Sequence, residues 1–346
     1  MPLADLTAPA RRLAFVGLAK NTGKTVAMTA LLSELAARGE RVGVTSVGRD
    51  GEARDVLDAR IAKPRVRLGA GSLVATTEPL LRASGLAHAR LARTALRTPL
   101  GRVTIARLEQ GGAVEVAGPP QARDVRAVGE AMLALGAERV LVDGALDRRA
   151  AASPAVADGV VLCTGAALHR DPVEVARRTR AAAELLALPL VREPHVRAAA
   201  PSSLVGEDGA AVPFDPRIAL DGDEADVAAL LRRAPGARWI VLRGALCEPF
   251  AERLARAAGG RELTLVVADG TRVFLSRRDP AWYRAHGVRI AALGAIALRA
   301  ITVNPVAPGS HRFAPDVLPR LVGEAVPGVP VLDVLGAVSP AGRGAG

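Results

Sequence analysis

The residues best suited to chemistry lie in one short stretch, where five residues separate Gly17 from Gly23-Lys24-Thr25. Glycines let a backbone curl until successive N–H groups point inward, and such a ring of amides binds anions. A lysine ammonium beside it would neutralise phosphate charge, and a threonine hydroxyl would ligate Mg²⁺. The common form of this motif has four residues between its glycines. The predicted phosphate-binding residues are Gly17, Lys20, Asn21, Thr22, Gly23, Lys24, Thr25 and Val26.

The use of lysine supports this interpretation. The chain contains 46 lysine and arginine residues, of which three are lysines, and Lys20 and Lys24 both lie in this loop. An arginine guanidinium is planar and does not replace a compact ammonium on a flexible stem. A chain that uses arginine for almost every other cation therefore places its lysines where phosphate chemistry needs them.

The loop is flanked by a predicted strand and a predicted helix, which would hold it in position. Residues 13–16 are an apolar run typical of a buried strand, and an Ala- and Leu-rich stretch with helical spacing follows from Lys24 to about Arg38. A helix that begins at the loop adds its positive N-terminal potential to the amides. We therefore expect a strand, a phosphate-binding loop and a helix in succession.

Two carboxylates are candidates for holding Mg²⁺ together with Thr25. Asp143 ends the apolar run 139–142, and Asp50 follows the predicted strand 41–48. Both would lie at the carboxyl ends of parallel strands, where ligands bind in open sheets. Asp143 and Lys24 are the predicted catalytic pair, and the alternative for Asp50 is a simple turn before Gly51.

The succession of apolar runs and helical stretches predicts a doubly wound, mostly parallel α/β domain and a second, smaller α/β domain. We assign residues 1–192 to the nucleotide-binding domain and 193–237 to a linker with a small hairpin. Residues 238–336 form the predicted second domain, which includes strands near 300–303 and 330–334. Residues 337–346 are predicted to be a disordered tail.

The segment between the candidate carboxylates is less regular. Residues 86–97 alternate apolar and basic positions at helical spacing, which predicts a helix. Residues 101–108 and 113–116 flank Gln110-Gly111-Gly112, which predicts a β-hairpin.

Composition excludes several functional classes. The formal net charge is +11, but aromatic residues make up only 2% of the chain, so nucleic-acid binding by base stacking is not expected. No apolar run approaches the length of a membrane span. Cys163 and Cys247 are isolated thiols, which suits a reducing compartment. We therefore expect a soluble, cytoplasmic protein that does not contact membranes.

The loop GLAKNTGKT resembles that of dethiobiotin synthetase, in the wider class of P-loop NTPases that includes MinD-type ATPases. That class often has a second lysine five residues before the main one, whereas Lys20 lies four before Lys24. A closer resemblance is to the lysine 5,6-aminomutase reactivase subunit family. It is carried by AKNTGKT in the loop, TSVGRDGE (45–52), VDGALDRRA (142–150) and ITVNP (301–305).

The reactivase resemblance implies ATP and Mg²⁺ as cofactors and an adenosylcobalamin-dependent aminomutase, with or without a second ATPase subunit, as partner. It also places Asn304 where related P-loop proteins read the nucleotide base. The sequence has no Asp-x-His-x-x-Gly cobalamin signature, so its composition and spacing do not themselves indicate cobalamin. The sequence also leaves open whether the protein forms a homodimer.

Three functions remain open at the level of sequence. The first is a Mg²⁺-dependent ATP hydrolase that remodels a partner. The second is a ligase or small-molecule kinase, as the synthetase resemblance allows. The third is a binding protein that senses nucleotide without turnover. The sequence does not distinguish ATP from GTP.

Overall fold

The computed structural model of the chain describes residues 1–48, 65–144, 149–275, 277–278, 280–309 and 311–333. Strands and helices are numbered in chain order. The strands are β1 Arg12–Gly17, β2 Val42–Ser46, β3 Val66–Leu68, β4 Leu73–Thr77, β5 His88–Thr98, β6 Gly101–Leu108, β7 Gly112–Val114, β8 Arg139–Asp143, β9 Gly159–Gly165, β10 Ser203–Gly206, β11 Ala211–Pro213, β12 Ala237–Val241, β13 Leu246–Cys247, β14 Leu263–Val267, β15 Val273–Phe274, β16 Val288–Ala292, β17 Leu298–Asn304 and β18 Val331–Asp333. The helices are α1 Leu3–Leu6, α2 Lys24–Ala37, α3 Glu78–Ser84, α4 Ala122–Ala134, α5 Pro172–Leu186, α6 Pro194–Ala198, α7 Glu224–Arg233, α8 Glu248–Ala257, α9 Pro280–Ala285 and α10 Val317–Ala325.

Within the described ranges, the largest sheet has nine strands in the order β18-β17-β9-β1-β8-β2-β4-β6-β5. Neighbouring strands from β18 to β4 are parallel, whereas β6 runs antiparallel to both β4 and β5. The predicted α/β class with a mostly parallel sheet is confirmed. The predicted strands at residues 13–16 and 139–143 correspond to β1 and β8.

Helices cover both faces of this sheet at β2. Val42 and Val44 are buried in the apolar cluster that contains the inner face of α2. Gly43 lies between them and therefore faces the other way. A Cβ on Gly43 would come within 2.7 Å of the Met132 methyl group of α4. The strand is enclosed by α2 and α4, as parallel strands require.

The chain forms two compact units. Residues 1–183 and the chain from residue 297 onward make the first unit, and residues 184–296 make the second. In the described part of the second unit, five strands pair in the order β11-β10-β12-β14-β16, with β12, β14 and β16 parallel. Phe250 and Tyr283 are fully buried in its core.

This division differs from the one that the sequence suggests. The strands near 300–303 and 330–334 belong to the nine-stranded sheet, because β17 pairs with β9 and β18 pairs with β17. Ala300, Ile301 and Val303 are fully buried there. Pairing with a strand more than a hundred residues earlier carries no local sequence pattern, so the order of elements could not reveal it. The predicted tail, 337–346, lies outside the described residues.

Two local predictions between β4 and α4 are wrong. Most of the predicted helix at 86–97 is the strand β5, because pairing along β6 outweighs the helical spacing of its apolar residues. The predicted hairpin does not form either. β6 pairs with β4 and β5, whereas β7 pairs with β3.

Candidate functional site

The carboxyl ends of four neighbouring parallel strands meet at one edge of the nine-stranded sheet. β1 ends at Gly17, β8 at Asp143, β9 at Gly165 and β17 at Asn304. Open α/β sheets bind their ligands at this edge. Three of the sequence motifs that we singled out, those of Gly17–Thr25, Asp143 and Asn304, therefore converge on one place, although they are far apart in the chain.

The loop that joins β1 to α2 (residues 17–25, with its last two residues in α2) turns through two left-handed residues. Asn21 has a φ of 63° and Gly23 a φ of 87°. Asparagine is one of the few residues besides glycine that visit this conformation. Inside the loop, the Thr22 hydroxyl donates to the Ala19 carbonyl at 2.9 Å. Turns of this kind direct backbone N–H groups toward a common point, as in anion-binding nests.

Gly17 is required by a close approach within the same loop. A Cβ at this position would lie 2.9 Å from the Thr22 hydroxyl oxygen and 3.4 Å from the Ala19 carbonyl oxygen. Real Cβ atoms do not come that close to an oxygen, so any larger residue would displace Thr22. The first glycine therefore allows the loop to fold back against the end of β1.

The loop delivers the chain to the start of a 14-residue helix. α2 begins at Lys24, and its N-cap is Gly23. Glycine has no side chain to accept a hydrogen bond from the first-turn N–H groups, which also have no intrahelical acceptor. These groups form the positive end of the helix dipole. The arrangement suits a phosphate group bound at the helix terminus.

Lys24 connects the loop to β8. Its ammonium lies 2.8 Å from the Asp143 carboxylate, and it also donates to the Gly144 carbonyl. The side chains of Lys24 and Asp143 are 12% and 24% exposed, so the ion pair is partly shielded from water. The predicted catalytic pair is therefore in direct contact in the structure.

The donor set at this point fits Mg²⁺. Thr25 is the second residue of α2 and is half-buried, and Asp143 presents its carboxylate beside the helix start. Hydroxyl and carboxylate oxygens are the ligands that Mg²⁺ takes, and nucleotide sites use only one or two carboxylates because the phosphates and waters complete the shell. Among the described residues no group of three or more His, Cys, Asp or Glu side chains lies together as a metal site. The remaining predicted ligand, Asp50, lies outside the described residues.

The other predicted loop residues differ in their surroundings. Lys20 is exposed, Thr22 is buried, and Val26 is partly buried against the apolar core below α2. Val26 can therefore contribute its backbone N–H to a phosphate while its side chain anchors the helix.

Asn304 lies against the loop. Its side-chain amide donates to the Asn21 carbonyl at 3.1 Å, and its side-chain oxygen accepts from the Val306 N–H at 3.1 Å. A Cβ on Gly23 would come within 3.0 Å of the Asn304 Cβ. The residue that the resemblance assigns to base reading thus holds the left-handed turn at Asn21.

Sequence reasoning missed two features of the site. The Gly144 carbonyl, which accepts from Lys24, has no sequence pattern of its own beyond the Asp-Gly pair. Cys163 lies directly opposite Gly17 in the sheet, and its carbonyl accepts from the Leu18 N–H at 3.0 Å. Complete burial raises the pKa of the Cys163 thiol to about 12, because a thiolate is poorly solvated there. The thiol is therefore neutral and acts as part of the core.

No helix in the described part of the chain combines the length and the apolar character that crossing a bilayer demands. No protein-family model matches the chain, and no curated protein is significantly similar to it. The functional assignment therefore depends on the geometry of the site and on the motifs that compose it.

Proposed function

We propose that the protein is a Mg²⁺-dependent nucleoside triphosphate hydrolase that uses ATP. The observation that carries this proposal is the contact between Lys24, at the start of α2, and Asp143, at the end of the adjacent strand β8. A glycine-bounded loop, a helix N-terminus, a lysine and a strand-end aspartate together are the parts that phosphoryl transfer requires.

Each part has a role that follows from its chemistry. The N–H groups of the loop and of the first turn of α2 bind the phosphate oxygens, and Lys24 neutralises the charge that develops on them. Thr25 and Asp143 hold the metal. Bound Mg²⁺ supplies Lewis-acid charge that stabilises the phosphate oxygens.

The requirements of phosphoryl transfer favour direct hydrolysis over a mechanism with a covalent protein intermediate. Positioning and electrostatic stabilisation account for most of the rate, and no protein nucleophile is required. In the described part of the chain the one cysteine beside the loop, Cys163, is buried and neutral. It cannot serve as a nucleophile.

The resemblance to the aminomutase reactivase family supplies a more specific proposal. We infer that ATP turnover is coupled to the reactivation of an adenosylcobalamin-dependent aminomutase. This inference is supported by the sequence motifs quoted above, of which the segments 45–52 and 142–150 lie partly outside the described residues.

Phosphate release tests both levels of the proposal. The protein is assayed with ATP and Mg²⁺, alone and with an aminomutase inactivated by its own turnover. The proposal predicts release that is stimulated by the damaged enzyme and lost in Lys24→Ala, and it predicts no loss in the control Arg123→Ala, an exposed substitution on α4.

Other outcomes would select the alternatives. Turnover that ignores the aminomutase but requires a small carboxylate or amine would favour a ligase or kinase. Tight ATP binding with no turnover under any condition would favour a nucleotide sensor.

A further inference from the structure

A separate feature of the first unit is a concentration of positive charge. Residues 79–108 contain no aspartate or glutamate. The arginines of this segment are Arg82, Arg90, Arg93, Arg97, Arg102 and Arg107. Six cations in thirty residues are a large part of a formal net charge of +11 for the whole chain. The antiparallel pair β5 and β6, which carries five of them, is called the arginine ribbon below.

The strand register places four of these side chains on one face of the ribbon. Arg90 is opposite Ala106, Arg93 is opposite Thr104, and Arg97 is opposite Arg102. Residues directly opposite each other in a sheet share a face, so this face also carries positions 102, 104 and 106 of β6, where Thr104 and Ala106 are buried and Arg102 is half-buried. Two irregularities in the register of β5 keep its arginines on this face.

The Glu78 carboxylate partly balances the charge. Glu78, in the first turn of α3, accepts from Arg93 Nε at 2.9 Å and from Arg90 Nη1 at 3.3 Å. The hydrogen bond from Arg93 holds the pKa of the Glu78 carboxyl below its ordinary value. Within the described part of the chain, Arg97 and Arg102 form no ion pair. The face therefore keeps a surplus of guanidinium groups.

The outer edge of the ribbon is long and accessible. β5 has eleven residues, none of them buried, and it is the terminal strand of the sheet within the described ranges. A terminal strand offers unpaired N–H and C=O groups to a further strand. Charged side chains often protect such edges from aggregation. Protection does not explain Arg102, which lies on the same face but on the inner strand β6.

We propose that the arginine ribbon is a docking surface for an acidic, extended segment of a partner protein, which adds to the outer edge of β5 as a further strand. Main-chain hydrogen bonds would supply affinity, and carboxylates on the added strand would meet Arg90, Arg93 and Arg97 on the shared face. In strand addition of this kind, specificity comes from alternate side chains of the incoming peptide, which contact the binding protein.

Other occupants fit the surface less well. Residues 79–108 contain no phenylalanine, tyrosine or tryptophan on which a nucleobase could stack. A second copy paired through the same edge would set arginines against arginines, because a two-fold interface repeats one surface. By sequence, residues 49–64 contain equal numbers of acidic and basic residues, and residues 334–346 contain no acidic residue. Charge complementarity therefore points to another chain.

The surface is distinct from the candidate nucleotide site. Five strand spacings separate β5 from β1 in the sheet order, which corresponds to about 24 Å. The proposal therefore does not depend on the proposed ATP hydrolysis, and either can fail without the other.

The probe is a fluorescein-labelled peptide of five Glu-Thr repeats, whose binding to the full chain is followed by anisotropy. The proposal predicts binding that weakens steeply with added salt. Two control peptides separate the contributions. Five Gln-Thr repeats remove the charge, and the Glu-Thr peptide N-methylated at alternate residues removes half of its backbone donors. Both are predicted to bind at least about tenfold more weakly, because both contacts are needed.

Matched variants locate the site on the chain. Arg97→Glu, and the double variant Arg90→Glu/Arg97→Glu, are predicted to weaken peptide binding by about tenfold or more. Arg123→Glu on α4 makes the same charge change at a side chain that is 80% exposed, and it is predicted to change binding by less than about twofold. Thermal unfolding of each variant confirms that it folds, and Arg97→Gln replaces Arg97→Glu if the charge reversal prevents folding.

Three results would overturn the proposal. One is binding of the Glu-Thr peptide no tighter than that of the Gln-Thr peptide. A second is an equal loss in Arg97→Glu and Arg123→Glu, which would mean that only the net charge matters. A third is a twenty-base-pair DNA duplex that binds more tightly and depends on the same arginines, which would make the ribbon a nucleic-acid surface.

Discussion

At the scale of single residues, the account centres on Lys24. Lys24 is the first residue of α2, and its ammonium contacts both the Asp143 carboxylate and the Gly144 carbonyl. Removing a group that stabilises developing charge in a shielded site costs roughly 100-fold or more in rate. We predict that Lys24→Ala lowers phosphate release by about that factor. Lys24→Arg is predicted not to restore it, because a planar guanidinium has the wrong shape for the loop. Activity retained in Lys24→Ala would contradict the assignment.

The second residue-scale prediction concerns Asp143→Asn. The amide keeps the size of the side chain but loses the charge that pairs with Lys24 and that would ligate Mg²⁺. We predict that ATP binding without Mg²⁺ is retained or tightened, because Lys24 is released for phosphate. The increase in affinity that Mg²⁺ produces in the parent is predicted to disappear. Titrations with and without the metal measure both effects, and an unchanged response to Mg²⁺ would remove Asp143 from the metal site.

Substitution of Asn304 separates two interpretations of its role in the site. If Asn304 positions the loop through the Asn21 carbonyl, Asn304→Ala weakens the binding of ATP and the binding of GTP by the same factor. If it reads the base, the ratio between the two affinities changes. We predict the first outcome, with a loss of about five- to tenfold for both nucleotides, as expected for one hydrogen bond of roughly 1 kcal/mol. Competition binding with both nucleotides measures the ratio.

At the scale of elements, the turn from β1 into α2 is the part most sensitive to packing. We predict that Gly17→Ala weakens nucleotide binding at least about tenfold, because its Cβ would lie 2.9 Å from the Thr22 hydroxyl oxygen. Gly69→Ala is the matched control, since a Cβ there meets no atom within 4 Å. Equal effects of the two substitutions on binding would show that the close approach at Gly17 does not matter.

The elements also show how far sequence reasoning reaches. β1, α2 and β8 were predictable because each is a continuous apolar or amphipathic run with a clear end, and they bring Lys24 and Asp143 together. β5 was not, because its alternation of leucine and arginine fits both a helix and a bulged strand, and only pairing with β6 decides between them. The contact from Asn304 to Asn21 was equally hidden, since it joins residues 283 positions apart.

At the scale of the whole molecule, the chain returns to its first sheet after leaving it. Residues 184–296 form a unit of their own, and β17 then pairs with β9. Ile301 and Val303 are fully buried in that return, and burying each such side chain contributes about 1.5–3 kcal/mol. The domain that holds the candidate site is therefore discontinuous in sequence.

This discontinuity can be tested with two shortened chains. We predict that residues 1–192 alone do not fold cooperatively, because β9 loses β17, one of its two neighbouring strands. Residues 1–183 joined through a flexible Gly-Ser linker to residues 297–346 are predicted to fold and to bind ATP. Thermal unfolding followed by circular dichroism compares them. A cooperative transition for residues 1–192 would show that the returning strands are dispensable.

The most direct test of the central claim is a calorimetric titration of the full chain with ATP in the presence of Mg²⁺. The account predicts saturable binding at one site per chain, weakened at least about 100-fold in Lys24→Ala and unchanged in Arg123→Ala. Parent protein that shows no heat of binding, or Lys24→Ala that binds as tightly as the parent, would contradict it.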